Sequence, residues 1–394
     1  MNTFYTNVQC SGDNILHRGY QNGKRVQQKI PFQPTLYVKS NAGSAAYRTI
    51  RGTAVEPIQP GTIRECEAFL KTYDEVKNFE VHGHTDWVYQ YISSLYPQHQ
   101  DAEYDMSLIR VVYLDIETEC ENGFSSAQDA SERINVVTLR YGDRKYVLAV
   151  NNFALPEDPN VYQEIFQNDS DMLARFLEIW QSIDPDVVTG WNVRFYDIPY
   201  IVNRLKLLEL DHRCMSPWRT VREDEVDYKG KTQQVYKISG VDILDYYELY
   251  RKYVLSPRES YKLDYIASVE LGKKKVDYSQ YGHIREFYTQ NFQMFVEYNV
   301  RDVDLVRELD DKLNLLELHI SMAYLAKTNY NDVFGQVRMW DTIIYNHLLK
   351  SNIVISQKQL QEKDSQYAGA YVKDPIVGFH DWVVSFDLSS LYPH

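Results

Sequence analysis

The sequence lacks most of the features that announce a particular chemistry. Its four cysteines stand at 10, 66, 120 and 214. None forms a CxxC pair, so neither a zinc knuckle nor a disulfide framework is indicated, and a reducing cytoplasm suits the chain. No stretch approaches about 18 consecutive apolar residues, which removes a membrane span. The opening MNTFYTNVQC has no apolar signal-peptide run. GxGxxG does not occur, and Gly230-Lys231-Thr232 has Glu225 where a phosphate loop needs its first glycine, so no Gly-rich phosphate loop is available, and there is no internal repeat or low-complexity tract. Basic charge is short too. Lys+Arg is 42 against 55 Asp+Glu, a net charge of −13, which argues against a nucleic-acid binder with a basic face.

What is present points elsewhere. The 394 residues are 44% hydrophobic and 25% charged, enough for two or three domains with real cores. There are 33 Tyr, 15 Phe and 6 Trp, and tyrosine suits a packed enzyme or a base-stacking surface. Residues 1–108 read as a small α+β domain of short strands, FYTNVQC, KIPFQPTLYVKS and VHGHTDWVYQYISSLYP among them. From 109 to 315 strands and helices alternate, as in an α/β domain. IRVVYLDIETE, RINVVTLRYG, KYVLAVNNFAL and DVVTGWN predict strands, while DMLARFLEIWQSI and IPYIVNRLKLLEL predict helices. REFYTQNFQMFVEYNVRDVDLVRELDDKLNLLELH predicts one long or two consecutive helices. Residues 219–240 predict a projecting hairpin. Helices resume from 316, a polar linker covers 356–366, and HDWVVSFDLSSLYPH predicts a buried strand.

Carboxylates recur in a pattern. Asp115 and Glu117 are two apart on a strand and share a face. A buried strand seldom ends in two acids without reason. Asp197 follows Asn192 by five and opens a helix, where it also suits a cap. Tyr298 and Asp302 are one helical turn apart, and Asp304 lies off that face. Acids held together repel and raise one another's pKa, so they become economical around cations. Oxygen-only ligands select Mg²⁺ or Mn²⁺. Two such ions about 4 Å apart serve in-line phosphoryl displacement.

The ordered set Asp115/Glu117, Asn192/Asp197, Tyr298/Asp302 resembles the three motifs of the DEDD 3′→5′ exonucleases, Tyr-bearing subclass. TGWNVRFYDIPYI, GVDILDYYELY, SYKLDYIA, NDVFGQVRMWDTII and SFDLSSLYP are similar to family B DNA polymerases of T-even-type bacteriophages, and the likeness runs the length of the chain. The resemblance implies an α/β (α+β multidomain) protein. An N-terminal domain at 1–108 recurs at 316–358, an RNase H-like exonuclease domain spans 109–315, and a palm fragment spans 359–394. By the family pattern Asp115, Glu117, Asp197 and Asp302 hold two Mg²⁺ or Mn²⁺ ions and Tyr298 orients the water. It assigns DNA contacts to Asn192, Phe195, Tyr228 and Lys229 of the hairpin, to Lys273 or a neighbour within Lys273–Lys275, and to Tyr367 and Gly369. Asp387 would be the palm's metal-binding aspartate, and Leu388, Ser389, Ser390, Leu391 and Tyr392 would hold a nucleotide. Fingers, thumb and the second palm aspartates do not follow, so no polymerase activity is expected of the chain alone. The expected partners are single-stranded and primer–template DNA and a C-terminal polymerase portion, with a sliding clamp and single-strand binding protein reached only through the full polymerase, in the cytoplasm of an infected bacterium. A non-catalytic assembly half of a split polymerase is the alternative.

The charge follows the same division. Residues 109–315 hold 26 basic and 36 acidic residues, so −10 of the −13 falls there. Two divalent ions would offset about four of those charges.

Overall fold

The computed structural model describes residues 3–41, 45–74, 76, 79–96, 103–121, 123, 125–228, 230–273, 275–276, 279–357 and 373–386. It forms two units, 1–357 and 358–394.

The first unit opens with β1 (Thr3–Ser11), β2 (Asn14–Gln21) and β3 (Lys24–Pro31), an antiparallel meander. Gly19 of β2 is obligatory, because a Cβ there would stand 2.2 Å from the Phe4 carbonyl oxygen. Next come β4 (Leu36–Lys39), β5 (Tyr47–Thr49), β6 (Ala54–Ile58), α1 (Ile63–Tyr73), β7 (Val81–His82) and α2 (Trp87–Leu95). A Thr62/Glu65 capping box starts α1. The 81–97 segment was expected as a strand, yet most of it is α2. Its aromatic and β-branched residues favour strands locally. However, apolar residues at 87, 88, 91, 92 and 95 also fit one helix face, and packing of Trp87, Tyr91 and Ile92 into the core decides it.

The central sheet uses β8 (Val111–Thr118), β9 (Ile134–Tyr141), β10 (Arg144–Ala149), β11 (Val161–Ile165), β12 (Val187–Thr189) and, later, β15 (Asp242–Ile243). Its order is β11-β10-β9-β8-β12-β15. Strands β8, β9 and β10 form an antiparallel meander; β12 runs parallel to β8 and β15 parallel to β12. This is the sheet that an RNase H-like domain requires, with β11 added parallel to β10. Helices α3 (Asp169–Ile183) and α4 (Asp197–Leu207) cover one face. The hairpin lies where expected, as β13 (Val221–Tyr228) paired with β14 (Lys231–Ile238). Its base is anchored to α4, with Lys206 Nζ donating to Tyr236 Oη at 2.7 Å.

The remaining helices are α5 (Tyr246–Tyr253), α6 (Leu263–Leu271), α7 (Ile284–Gln290), α8 (Phe292–Leu313), α9 (Leu315–Ala326) and α10 (Gln336–Lys350). The 285–319 stretch is thus three helices rather than one or two. Single asparagines divide it. Asn291 caps α8 through Met294 N–H, and Asn314 turns left-handed with φ 51°. Finally β16 (Ile353–Val354) pairs with β5, which ties the end of this unit to the sheet of residues 36–82.

In the second unit residues 373–386 form neither helix nor strand, and Ile376, Val377, Phe379, Trp382, Val383, Val384 and Phe386 are exposed. The buried strand expected over 381–394 is therefore absent across 381–386. An apolar run can supply side chains for a sheet but not the neighbour whose backbone completes the ladder. Residues 387–394, and Tyr367 and Gly369, lie outside the described residues. Among those described, no helix is long and apolar enough to cross a membrane.

Candidate active site

Alternation along β8 builds the site. Val112, Leu114 and Ile116 enter the core under α3 and α4. The odd-numbered Tyr113, Asp115 and Glu117 take the other face, toward α8. There α8 packs Phe295 and Val296 into a core shared with Val136 and Val147. That seating brings Tyr298 and Asp302, one turn apart, over the two acids of β8. Asp115, Glu117 and Asp302 each place an oxygen within 4.8 Å of the others. Asp197 comes from the start of α4. It is buried, and its Oδ1 accepts from the Ile116 N–H at 3.0 Å, between the two acids. Asp304 lies away from this group, as expected, and is held by Arg140 Nη1 at 2.9 Å and Lys145 Nζ at 2.7 Å.

The acids are electrostatically strained. Burial is the largest cause throughout. It lifts Asp115 well above the usual carboxylate range, with repulsion from Asp197 and Asp302 adding to it. Glu117 is pushed up to about 8, by burial and then by Asp302. Asp197 rises to about 7 despite its backbone hydrogen bond. Asp302 rises only to about 6, because Lys275 opposes the shift. The Lys275 ammonium bonds Asp302 Oδ2 and donates to Tyr298 Oη at 3.1 Å. Burial disfavours its charge, but Asp302, Tyr298 and Asp115 together hold its pKa above the ordinary lysine value. Burial and the Asp302 charge likewise push the Tyr298 hydroxyl up.

These groups fit a hard divalent cation. Three carboxylates converge, one lysine cannot balance them, and Asp302 Oδ1 is buried without a hydrogen-bond donor among the described residues. Asp115, Asp302, Tyr298 and Lys275 border a cleft of about 980 Å³, lined also by Trp191, Asn192, Tyr247, Tyr261 and Lys262. Gly190 lets the cleft's loop approach β8, since a Cβ there would lie 2.4 Å from the Leu114 carbonyl oxygen.

Other expected residues fall differently. Asn192 is exposed at the cleft wall, with its backbone left-handed at φ 72°. Phe195 is half-buried under the Arg194 guanidinium, 5.2 Å from the ring centroid. Lys273 pairs with Glu308 at 2.9 Å, while Lys275 reaches the acids; Lys274 lies outside the described residues. Tyr228 ends β13, while Lys229, Asp387, Leu388, Ser389, Ser390, Leu391 and Tyr392 are outside the described residues. Two residues had no assigned part. Asn299 donates to Asp115 Oδ2 at 2.7 Å. Buried Asp245 caps α5 and accepts from the Asn192 and Arg194 N–H groups, both at 3.0 Å, clamping the loop. Only the capping position of Asp245 before YYELY was visible in sequence.

A family model described as "DNA polymerase family B, exonuclease domain" matches residues 58–266. The chain belongs to the family B DNA polymerases. It carries their exonuclease domain. The matched span includes Asp115, Glu117, Asn192 and Asp197 and stops before α8, so geometry is what adds Tyr298 and Asp302. The DNA-directed DNA polymerases of Escherichia phage RB69 and Enterobacteria phage T4 are 31% and 30% identical over the whole of this chain. The DNA polymerase delta catalytic subunit of Schizosaccharomyces pombe is 26% identical over 73% of this chain and 28% of its own length. The chain spans 46% of each phage relative, so it corresponds to a portion of such a family B polymerase.

Proposed function

We propose that this chain removes nucleotides from the 3′ end of single-stranded DNA as the proofreading exonuclease of a phage-type replicative polymerase. The observation that carries this is the convergence of Asp115, Glu117 and Asp302 beside Asp197 and Tyr298 at the edge of an aromatic-lined cleft. Asp115, Glu117, Asp197 and Asp302 would hold two Mg²⁺ or Mn²⁺ ions. Such ions, when bound, activate a water and neutralise the departing 3′ oxygen. The chain's own groups supply the rest. Lys275 donates to Tyr298 Oη, which leaves the phenol proton free to orient the attacking water. Trp191, Tyr247 and Tyr261 offer ring faces to the terminal bases, and Lys275 and Lys262 offer charge to the phosphates. Asn192, Phe195, Tyr228, Lys229, Lys273, Tyr367 and Gly369 are proposed as further DNA contacts.

Within the full polymerase the partners are primer–template DNA and the remaining palm, fingers and thumb, with clamp and single-strand binding protein engaged through them, in the infected host's cytoplasm. Asp387 and Leu388–Tyr392 would belong to the nucleotide site completed there. The exposed apolar side chains of 376–386 favour a second role, as an assembly half that this remaining part covers.

The test is degradation of a 3′-labelled single-stranded oligonucleotide with Mg²⁺, with Mn²⁺ and with chelator. Stepwise release of mononucleotides from the 3′ end, lost on chelation, is expected. Metal-independent or 5′-end release would defeat the reading.

A further inference from the structure

Asn299 lies on α8 between the two residues of the Tyr-x₃-Asp pair and is wholly buried. Its Nδ2 donates to Asp115 Oδ2 at 2.7 Å, across 184 positions of sequence. Its Oδ1 has no donor among the described residues. A buried amide with half its hydrogen-bonding capacity unmet costs stability. A leucine of similar size would pack against Phe295 and Val303 without that cost. The polar group therefore needs a reason, and its one bond supplies it. A carboxylate on an extended strand rotates about its terminal torsion with little resistance. Asn299 fixes that torsion by engaging one oxygen, which leaves the other for a cation shared with Glu117 and Asp302.

We propose that Asn299 is a positioning residue of the metal site. It acts through Asp115, by holding one carboxylate oxygen and so presetting the other. The inference rests on the metal-site reading above.

The test is Mn²⁺ titration of the full chain, read by the electron paramagnetic resonance signal of free ion, for the native protein, Asn299→Leu, Asn299→Ala and Asp304→Ala. The last loosens α8 at Arg140 and Lys145 without touching Asp115. Asn299→Leu should weaken Mn²⁺ binding about tenfold or more, with the metal-free melting temperature kept or raised. Its oligonucleotide degradation should recover most of the native rate at saturating Mn²⁺. If the leucine variant does not fold, Asn299→Ala, which removes the donor and adds no charge, is read in its place. Binding unchanged or tighter in the folded variant overturns the proposal, as does an equal loss in Asp304→Ala, which would assign the effect to helix seating. Absence of Mn²⁺ binding by the native chain overturns the site reading itself.

Discussion

At the start of β12, Asp186 is 1% exposed and accepts from Thr6 Oγ1 at 2.8 Å, Arg18 Nε at 3.3 Å, Tyr20 Oη at 3.1 Å, Arg25 Nη2 at 2.5 Å and the Arg110 N–H at 3.0 Å. Asp184 beside it pairs with the same two arginines, each at 2.8 Å. At the opposite end of neighbouring β8, Asp115, Glu117, Asp197 and Asp302 share one lysine, Lys275, among the described residues. Both clusters lie against one sheet and hold buried acids, Asp186 in the first and Asp197 and Asp302 in the second. The first is closed, because two forked guanidiniums meet two carboxylates and the charge balances inside the protein. The second is left in deficit. Burial does not separate structural from functional acids here; the missing counter-charge does.

Four changes probe that contrast. The largest effect is expected from replacing Asp115 and Glu117 together by Ala. Metal-dependent degradation of the labelled oligonucleotide should fall by about a thousandfold or more. The metal-free melting temperature should hold or rise, because repulsion is relieved. A large loss of stability would show that these acids are structural after all. Asp186→Ala should do the reverse. Leaving the two guanidiniums of Arg18 and Arg25 to the single charge of Asp184 costs about 3–5 kcal/mol, measured by urea unfolding, while Mn²⁺ affinity of the folded protein stays within about twofold.

Gly190→Ala should damage both properties, since its Cβ would meet backbone rather than a side chain that can move. About 1–3 kcal/mol of overpacking strain should accompany a tenfold or greater drop in rate, read by thermal melts and by the degradation assay. A normal rate with lowered stability would separate the loop from the site.

The smallest effect concerns pH. The site carboxylates have folded values of about 6 to 8 for Asp302, Asp197 and Glu117, all raised above their unfolded range. Their contribution to metal-free stability is therefore fully present below about pH 4 and is lost as pH rises through about 8. A cation displaces those protons, so the rise in melting temperature on adding Mg²⁺ should be greater at pH 8 than at pH 6. An equal rise at both would mean the acids are ionised before the ion arrives.

Local pattern made much of this visible. The apolar run of β8 ending in two acids announced its face, and the one-turn spacing of Tyr298 and Asp302 correctly set Asp304 aside. What stayed hidden depends on distant partners. Nothing near residue 299 tells that its amide meets Asp115, and nothing in Lys-Lys-Lys tells which ammonium turns inward. α2 read as a strand because its residues favour strands until Trp87 and Ile92 find their core. The 381–394 run looked like a strand, and its described part, 381–386, is not one, because side-chain pattern records capacity for a sheet, not the presence of a neighbour.

The two-sided alternation of β8 carries a consequence for folding quality. Slipping its pairing with β9 by one residue would turn Asp115 and Glu117 into the hydrocarbon layer under α3 and α4 and expose Leu114 and Ile116 to α8. Such a chain loses its core and its chemistry in the same error. Specific activity in a purified sample should therefore report the fraction of molecules whose central strand is paired in register, with no separate population of well-folded but inactive protein arising from that slip.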